Sequence, residues 1–166
     1  ADVSSKEWYA DYIGYLSKYD IIKGYADGTF KPDAPVTRAE FVSMAVRYYG
    51  LFNDIQKSGY TVQYTDLTKD SCAYVDIAYA KQIGWLNGYA DGTFRGDSNI
   101  TRAEVVTVVN RATGRTADKA FVNDNLTKIN QFTDLKTNTH WAWYDILEAA
   151  NTHKAVSSAD GETWVK

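Results

Sequence analysis

The sequence predicts an all-α, mainly helical protein built from tandem helix-loop-helix repeats. Residues 24–40 (GYADGTFKPDAPVTRAE) recur as residues 88–104 (GYADGTFRGDSNITRAE), with 12 of 17 positions identical at a constant offset of 64 residues. Apolar residues at spacings of three and four flank both copies, which is the pattern of an amphipathic helix. Repeated units of this kind bury their apolar faces against neighbouring units.

The first helix of each repeat is predicted from its aromatic and aliphatic side chains. In the first repeat these are Trp8, Tyr12, Ile13, Tyr15 and Leu16. Their spacing places them on one face of a helix, which needs a neighbour to cover it. After this helix, the Asp-Gly pairs at positions 27 and 91 predict turns, and two prolines in the first copy keep the following segment extended.

The second helix of each repeat begins at a predicted capping box. The residues are Thr37 and Glu40 in the first repeat, and Thr101 and Glu104 in the second. In this T-x-x-E pattern each side chain accepts a hydrogen bond from the other residue's backbone amide, so both glutamates are predicted to be structural caps. Apolar runs follow both boxes, so we expect the second helices to lie innermost.

The repeat pattern divides the chain into two full units and one half unit. Repeat 1 spans residues 1–50, a linker spans 51–63, repeat 2 spans 64–115, a second linker spans 116–131, and a partial third repeat spans 132–166. The partial repeat resembles the first half of repeat 2 but contains neither GYADGTF nor TRAE. Either linker has room for a short helix.

Composition excludes several classes of protein. The 166 residues carry 18 basic and 21 acidic side chains, a net charge of −3, which argues against a nucleic-acid binder. A hydrophobic fraction of 45% excludes intrinsic disorder, and no apolar run approaches the roughly 18 residues of a membrane span. The single cysteine, Cys72, excludes an internal disulfide, and its apolar helical surroundings predict a buried thiol. Without an initiator methionine or a basic leader at Ala1, we expect a mature protein or an excised domain.

The aromatic helix followed by GYADGTF and TRAE, present twice, resembles the S-layer homology family of bacterial cell-envelope anchors. The resemblance implies a pseudo-threefold arrangement of repeats around a central helical bundle. It also implies an extracellular module at the bacterial cell surface. The implied partner is a secondary cell-wall polysaccharide, usually carrying a pyruvate ketal, or a modified peptidoglycan, bound in grooves between repeats.

The candidate ligand-binding residues follow from this resemblance and from the chemistry of a ketal carboxylate. Arg38 and Arg102 directly follow the capping threonines Thr37 and Thr101, where a guanidinium and free backbone amides would meet an anion. A sugar also needs an apolar platform and room for close approach. The candidates for those roles are Trp8, Trp85, Trp141, Tyr25, Tyr89, Gly24 and Gly88. Each tryptophan has the alternative role of a core residue, and each arginine that of a structural ion pair.

The sequence predicts neither an enzyme nor a bound cofactor. The repeated acidic residues all have turn or cap explanations, and the oxygen spacing of a calcium loop is not met. His140 and His153 have no cysteine or carboxylate cluster at zinc spacing, so no metal site is predicted and His140 is interpreted as a cap or surface residue. Two alternatives remain open at this point. One is a structural or protein-interaction module that has lost glycan binding, and the other is a divalent-cation module of the dockerin type. Because the third repeat is incomplete, self-association or completion by another segment is also an expectation.

Overall fold

The computed structural model describes residues 2–135, 139–158 and 161–165, so parts of the predicted third repeat (136–138, 159–160 and 166) lie outside the described residues. The helices are α1 (Ala10–Lys18), α2 (Arg38–Gly50), α3 (Tyr74–Gln82), α4 (Arg102–Ala112), α5 (Lys119–Asp124) and α6 (Trp143–Ala150), followed by strands β1 (Lys154–Ser158) and β2 (Gly161–Val165). The mainly helical prediction is confirmed. No helix in these ranges has the length and apolar character needed to cross a membrane.

The chain forms two compact units, residues 1–100 and 101–166. The boundary falls directly before the second capping box. It therefore divides the second sequence repeat, and the compact units do not coincide with the repeats. In each unit a TRAE helix packs against the first helix of the following repeat, α2 against α3 and α4 against α6. The arrangement of repeats around a common axis stays a prediction.

The core of unit 1 is centred on α3. Six of its nine residues are buried, against four of thirteen in α2, so the prediction that the second helices lie innermost is wrong in this unit. The reason is that α3 is covered on more than one side. Helix α2 packs on it, the Tyr74 hydroxyl donates to the Val62 carbonyl, and Trp85 lies edge-on to Tyr79.

Helix α1 carries four residues of the predicted face, but Trp8 precedes the helix, and no residue of the helix is buried. Tyr12 is 66% exposed and Tyr15 is 57% exposed. A first helix is buried in this fold when a TRAE helix of the preceding repeat packs on it, as α2 does on α3. Within the described residues no such helix precedes α1, so the sequence pattern predicted the face correctly but not its burial.

Both GYADGTF loops fold in the same way. Tyr25 N donates to Thr29 O at 2.7 Å, and Asp27 Oδ1 accepts from the Thr29 backbone amide and hydroxyl at 3.0 and 2.6 Å. The second loop repeats these bonds with Tyr89, Asp91 and Thr93. Gly28 and the equivalent Gly92 have φ values of 80° and 82°, a conformation that only glycine adopts without strain.

A second aspartate anchors each loop from a distance of 28 residues in sequence. Asp2 accepts from the backbone amides of Phe30 and Lys31, and Asp66 accepts from those of Phe94 and Arg95 at 2.7 and 2.6 Å. Lys31 and Arg95 have φ values of 55° and 57°, which non-glycine residues seldom adopt. The two aspartates therefore hold the residue after GTF in a left-handed conformation.

We expect the two loops to lose stability in acid. The hydrogen bonds from Thr29 lower the pKa of Asp27 from 3.8 to about 2, and those from Thr93 lower the pKa of Asp91 in the same direction. Because the folded pKa lies below the unfolded value, the ionised carboxylates stabilise the loops above about pH 4, and this contribution is lost as the pH falls towards 2. Carboxyl chemical shifts followed by NMR from pH 6 to about 1.5 test this. Titration of Asp27 at the ordinary value of 3.8 would contradict it.

Unit 2 contains a small core and a β-hairpin that the all-α prediction missed. The buried side chains are Val122, Trp143, Leu147 and Trp164, contributed by α5, α6 and β2. Strands β1 and β2 pair antiparallel from Lys154 opposite Val165 to Ser158 opposite Gly161. The Asp-Gly pair at positions 160–161, between short segments containing β-branched residues, is a sequence signal that would have indicated a hairpin. Helix α5 is the short helix for which the second linker had room.

Candidate functional site

Both predicted capping boxes are present. Thr37 Oγ1 accepts from the amide of Glu40 at 3.2 Å, and Glu40 Oε2 accepts from the amide of Thr37 at 2.8 Å. The same pair of bonds joins Thr101 and Glu104 at 3.3 and 2.8 Å. The structural role predicted for the two glutamates is confirmed.

The N-terminus of α2 is covered by the loop that follows the second GYADGTF segment. The backbone amide of Arg38 donates to Ser98 O at 2.9 Å, and that of Ala39 donates to Gly96 O at 3.0 Å. The expectation of free backbone amides at this helix end is therefore wrong. A segment 60 residues downstream satisfies them, which the local sequence does not reveal.

The Arg38 side chain is part of the interior of unit 1. It is only 7% exposed, and its Nε donates to the Phe94 carbonyl at 3.0 Å. Its guanidinium carbon lies 5.0 Å from the ring centre of Tyr89 and 4.9 Å from that of Phe94. The structure thus places Arg38 against the second loop, and the role of a primary ligand contact is not supported for it.

The equivalent end of α4 is different. Arg102 is exposed, and among the described residues the backbone amides of Arg102 and Ala103 have no hydrogen-bond acceptor. Within the described ranges, the positive end of the helix dipole and a guanidinium are therefore both accessible at this point. This is the geometry predicted for both arginines, and it occurs at Arg102.

The two loop glycines make room for the loop's own backbone. A Cβ atom at Gly24 would lie 2.8 Å from Thr29 O, and one at Gly88 would lie 2.8 Å from Thr93 O and would also collide with the Tyr64 ring. The sequence predicted close approach of a ligand at these glycines, but what approaches them is the backbone of their own loop. They are structural residues of the loops.

Each loop tyrosine is covered on one face by a basic side chain. Lys31 Nζ lies 4.3 Å above the Tyr25 ring, and the Arg95 guanidinium lies 4.0 Å from the Tyr89 ring. Tyr25 remains 40% exposed and donates to Glu40 Oε1 at 3.3 Å. Sequence reasoning missed the two cations, although the residue after GTF is basic in both copies.

The tryptophans separate into core and surface. Trp85 is 5% exposed and packs edge-on against Tyr49 and Tyr79, so its prediction as a sugar platform is wrong. Trp8 and Trp141 are 80% and 64% exposed, so the core alternative is wrong for both.

Cys72 occupies the position in repeat 2 that is equivalent to Trp8 and Trp141, and it is also exposed, which corrects the prediction of a buried thiol. The position is therefore exposed in all three repeats.

Unit 1 contains a cleft of about 430 Å³ along α2. Its walls come from the first loop, from α2 and from the segment before α3. The side chains that matter for recognition are Lys23, Lys31, Arg47, Tyr25, Glu40, Ser43, Cys72 and Asp97. The set contains three cations and two carboxylates, and Arg38 is not part of the lining. Each cation also lies near an aspartate outside the set: Lys23 is 3.9 Å from Asp20, Lys31 is 3.3 Å from Asp27, and Arg47 is 3.9 Å from Asp76.

The floor of the cleft carries an unpaired hydroxyl. Ser43 is 4% exposed, and its Oγ has no hydrogen-bond partner among the described residues. A buried hydroxyl without a partner costs about 1–3 kcal/mol. Because Ser43 borders the cleft, a ligand hydroxyl or a water molecule entering it would supply the missing partner.

The two histidines differ in their surroundings. The Nδ1 atom of His140 accepts from the backbone amide of Ala142 at 3.2 Å, which agrees with the predicted capping role. His153 lies beside Glu148 and Glu162, so the prediction that no carboxylates surround it is wrong. The three residues belong to α6, the segment before β1, and β2, and only the hairpin brings them together.

Comparison with known proteins agrees with the repeat pattern. The chain matches the family model of the S-layer homology domain at residues 1–42 and 63–106, more than half of its length. It is 30% identical to cell surface glycoprotein 1 of Acetivibrio thermocellus, over all of this chain and 7% of that protein. It is 32% identical to the cellulosome-anchoring protein of the same organism, over 97% of this chain and 34% of that protein.

A Bacillus endoglucanase contains a similar segment, 32% identical over 68% of this chain and 11% of the enzyme. The chain thus spans about a third or less of the length of these relatives. The shared part occurs in proteins whose names denote quite different activities, as expected for a module joined to other domains. On the match to the family model and the two complete sequence repeats, this chain belongs to the S-layer homology domain family.

Proposed function

We propose that this chain is a non-catalytic cell-surface anchoring module and that the cleft of unit 1 binds an acidic cell-wall polysaccharide. The observation that carries the proposal is the combination of three cations, an exposed tyrosine and an unpaired buried hydroxyl around one open cleft. Carbohydrate sites combine an aromatic surface for the C–H face of a sugar with a few polar groups that fix its orientation.

The three cations of the cleft offer donors to a sugar with a fixed carboxylate, such as a pyruvate ketal, which would compete with the aspartates paired to them. Lys31 stands above the Tyr25 ring, so a carboxylate bound by its ammonium group would hold the sugar ring beside the aromatic face. The Arg47 side chain is 31% exposed and borders the same cleft, where it offers a second cationic contact. Ser43 would pair with a sugar hydroxyl.

Arg102, at the N-terminus of α4, offers a second contact for an anionic group of the ligand. A guanidinium next to unpaired backbone amides is a favourable place for a carboxylate. A polymer carries many such groups, so a chain that binds it through more than one contact would be held more tightly. Intact walls are therefore expected to bind more tightly than short fragments.

The relatives support a location at the cell surface. Their names include a cell surface glycoprotein and a cellulosome-anchoring protein. Enzymes among the relatives share the segment over only a small part of their length, which supports attachment rather than catalysis as its role. We propose the extracellular face of a bacterial cell wall as the site of action, without a cofactor.

Titration calorimetry with pyruvylated wall polysaccharide, its depyruvylated form and purified peptidoglycan tests the proposal. We expect binding to the pyruvylated polymer, weakened by salt because the contacts are charged. Lys31→Ala should weaken it about tenfold, the equivalent of about 1.4 kcal/mol. Lys69→Ala removes an exposed lysine outside the cleft lining and should leave the affinity unchanged.

Equal affinity for the two polysaccharide forms would contradict carboxylate recognition. Binding to peptidoglycan alone would identify a different wall polymer as the ligand. No binding to any of the three would favour the alternative of a structural or protein-interaction module, for which the exposed aromatic face of α1 is the supporting observation.

A further inference from the structure

A cluster of one histidine and two glutamates lies in unit 2, away from the cleft described above. Glu148 on α6, His153 before β1 and Glu162 on β2 each place one nitrogen or oxygen ligand atom within 4.8 Å of the others. The Glu148 side chain is fully buried, and that of His153 is 8% exposed. These donor types are the ones that bind zinc and related divalent transition metals in proteins.

The hydrogen bond made by His153 Nδ1 determines whether Nε2 of the neutral ring carries a hydrogen atom or a lone pair. Nδ1 lies 2.8 Å from the backbone carbonyl oxygen of Asn151. A carbonyl oxygen only accepts, so the hydrogen of the neutral ring is on Nδ1. Nε2 then directs its lone pair at Glu148 Oε1, only 3.3 Å away. Two acceptors this close are held together more favourably when an electropositive group lies between them, and the geometry leaves a metal ion as one such group.

We propose that this group is a divalent transition-metal ion such as Zn²⁺, bound by Glu148, His153 and Glu162. Bonds of about 2.0–2.2 Å from a tetrahedral zinc ion place two ligand atoms roughly 3.3 Å apart. This agrees with the separation of Nε2 and Oε1. A backbone carbonyl holding the other ring nitrogen is the usual outer contact of a metal-binding histidine.

The surrounding side chains hold two of the ligands in place. Trp164 stacks on the His153 ring at 3.8 Å and 14°, and its Nε1 donates to Glu148 Oε2 at 2.9 Å. Both ligands are thus oriented before an ion arrives, and Oε1 of Glu148 faces His153. Orientation by a single rigid ring lowers the entropy cost of forming the site.

Arg115 shares this site and limits its affinity. Its Nε and Nη2 lie 2.9 and 2.8 Å from Glu148 Oε1. With a neutral histidine, the two carboxylates and this guanidinium sum to one negative charge, which a divalent ion changes to one positive charge. A cleft of about 380 Å³ lined by Arg115, His153 and Glu162 gives the ion a route from solvent and leaves space for a water ligand.

Calorimetry and thermal unfolding of the chelator-treated whole chain with Zn²⁺ test the site, and Co²⁺ adds a visible absorption readout. We expect one bound ion per chain, a higher melting temperature with Zn²⁺, and at least tenfold weaker binding by Glu162→Gln. The glutamine keeps the shape of the side chain and the acceptor for the Thr116 amide, so this variant should fold. Asp124→Asn on α5 removes a carboxylate outside the cluster and should bind as the parent does.

The proposal fails if the parent chain shows no binding, or if Glu162→Gln binds as tightly as the parent. A second set of results would also overturn it. In that case the melting temperature of the parent chain does not respond to Zn²⁺ but falls as the pH rises, and the melting temperature of His153→Phe shows no such fall. That result would identify the occupant of Nε2 as a proton in an ion pair with Glu148. Phenylalanine keeps the stacking on Trp164 while removing both ring nitrogens.

Discussion

Replacing Arg38 by alanine is expected to destabilise unit 1 by about 2–4 kcal/mol. The substitution leaves the Phe94 carbonyl without its buried donor, which costs about 1–3 kcal/mol, and it removes the cation–π contacts with Tyr89 and Phe94. The loop over the N-terminus of α2 should open together with this loss. Hydrogen exchange resolved by residue is the suitable measurement, because the chain has two compact units and a single melting curve would mix them.

Arg102→Ala is the matched control. It changes the same residue of the same TRAE motif, but this arginine is exposed and its removal should alter stability by less than about 0.5 kcal/mol. If Arg102 binds an anionic group of the polysaccharide, Arg102→Ala weakens polysaccharide binding while the fold is unchanged. If both variants lost the same amount of stability, the prediction that only the buried Arg38 stabilises the fold would be contradicted.

Glu148→Ala is expected to separate the C-terminal hairpin from α6. The buried carboxylate accepts hydrogen bonds from Arg115 and from the Trp164 indole, and it faces His153. Removing one partner of a buried charge pair costs about 3–5 kcal/mol. We expect about 3 kcal/mol, because the Arg115 side chain is 41% exposed and regains water.

The readout is protection of the β1 and β2 amides from hydrogen exchange, together with the fluorescence of Trp164. Both should change in Glu148→Ala while the amides of unit 1 keep their protection. Asp124→Ala removes an exposed carboxylate at the end of α5 and serves as the control. A hairpin that stays fully protected in Glu148→Ala would contradict the role of this residue.

Features that depend on a few neighbouring residues could be predicted from the sequence. The capping boxes join residues three apart, and the Asp-Gly-Thr turns join residues two apart. The 64-residue offset predicted that both loops share one conformation, and they do. Strands β1 and β2 were not predicted, although the Asp-Gly pair at positions 160–161 is a local signal for a hairpin.

Burial could not be predicted, because it depends on which segment covers a residue. Arg38 and Arg102 lie in identical TRAE motifs, but residues 94–98 cover the first, while the described part of the third repeat contains no equivalent loop over the second. The same reasoning applies to the tryptophans. Trp85 is enclosed by Tyr49 and Tyr79, whereas Trp8 and Trp141 precede a helix and face solvent.

By itself the sequence determined the repeats, the turns, the starts of the two TRAE helices and the family, because each of these depends on local hydrogen bonds or on a pattern along the chain. Only the tertiary structure decided the identity of the sites. The cleft of unit 1 brings Lys23 and Lys31, on either side of GYADGTF, together with Ser43 of α2 and with Asp97 from the second repeat. The hairpin brings Glu162 to Glu148 and His153. Side chains distant in sequence form a site only when packing brings their polar atoms within a few ångströms, and spacing along the chain carries no record of that packing.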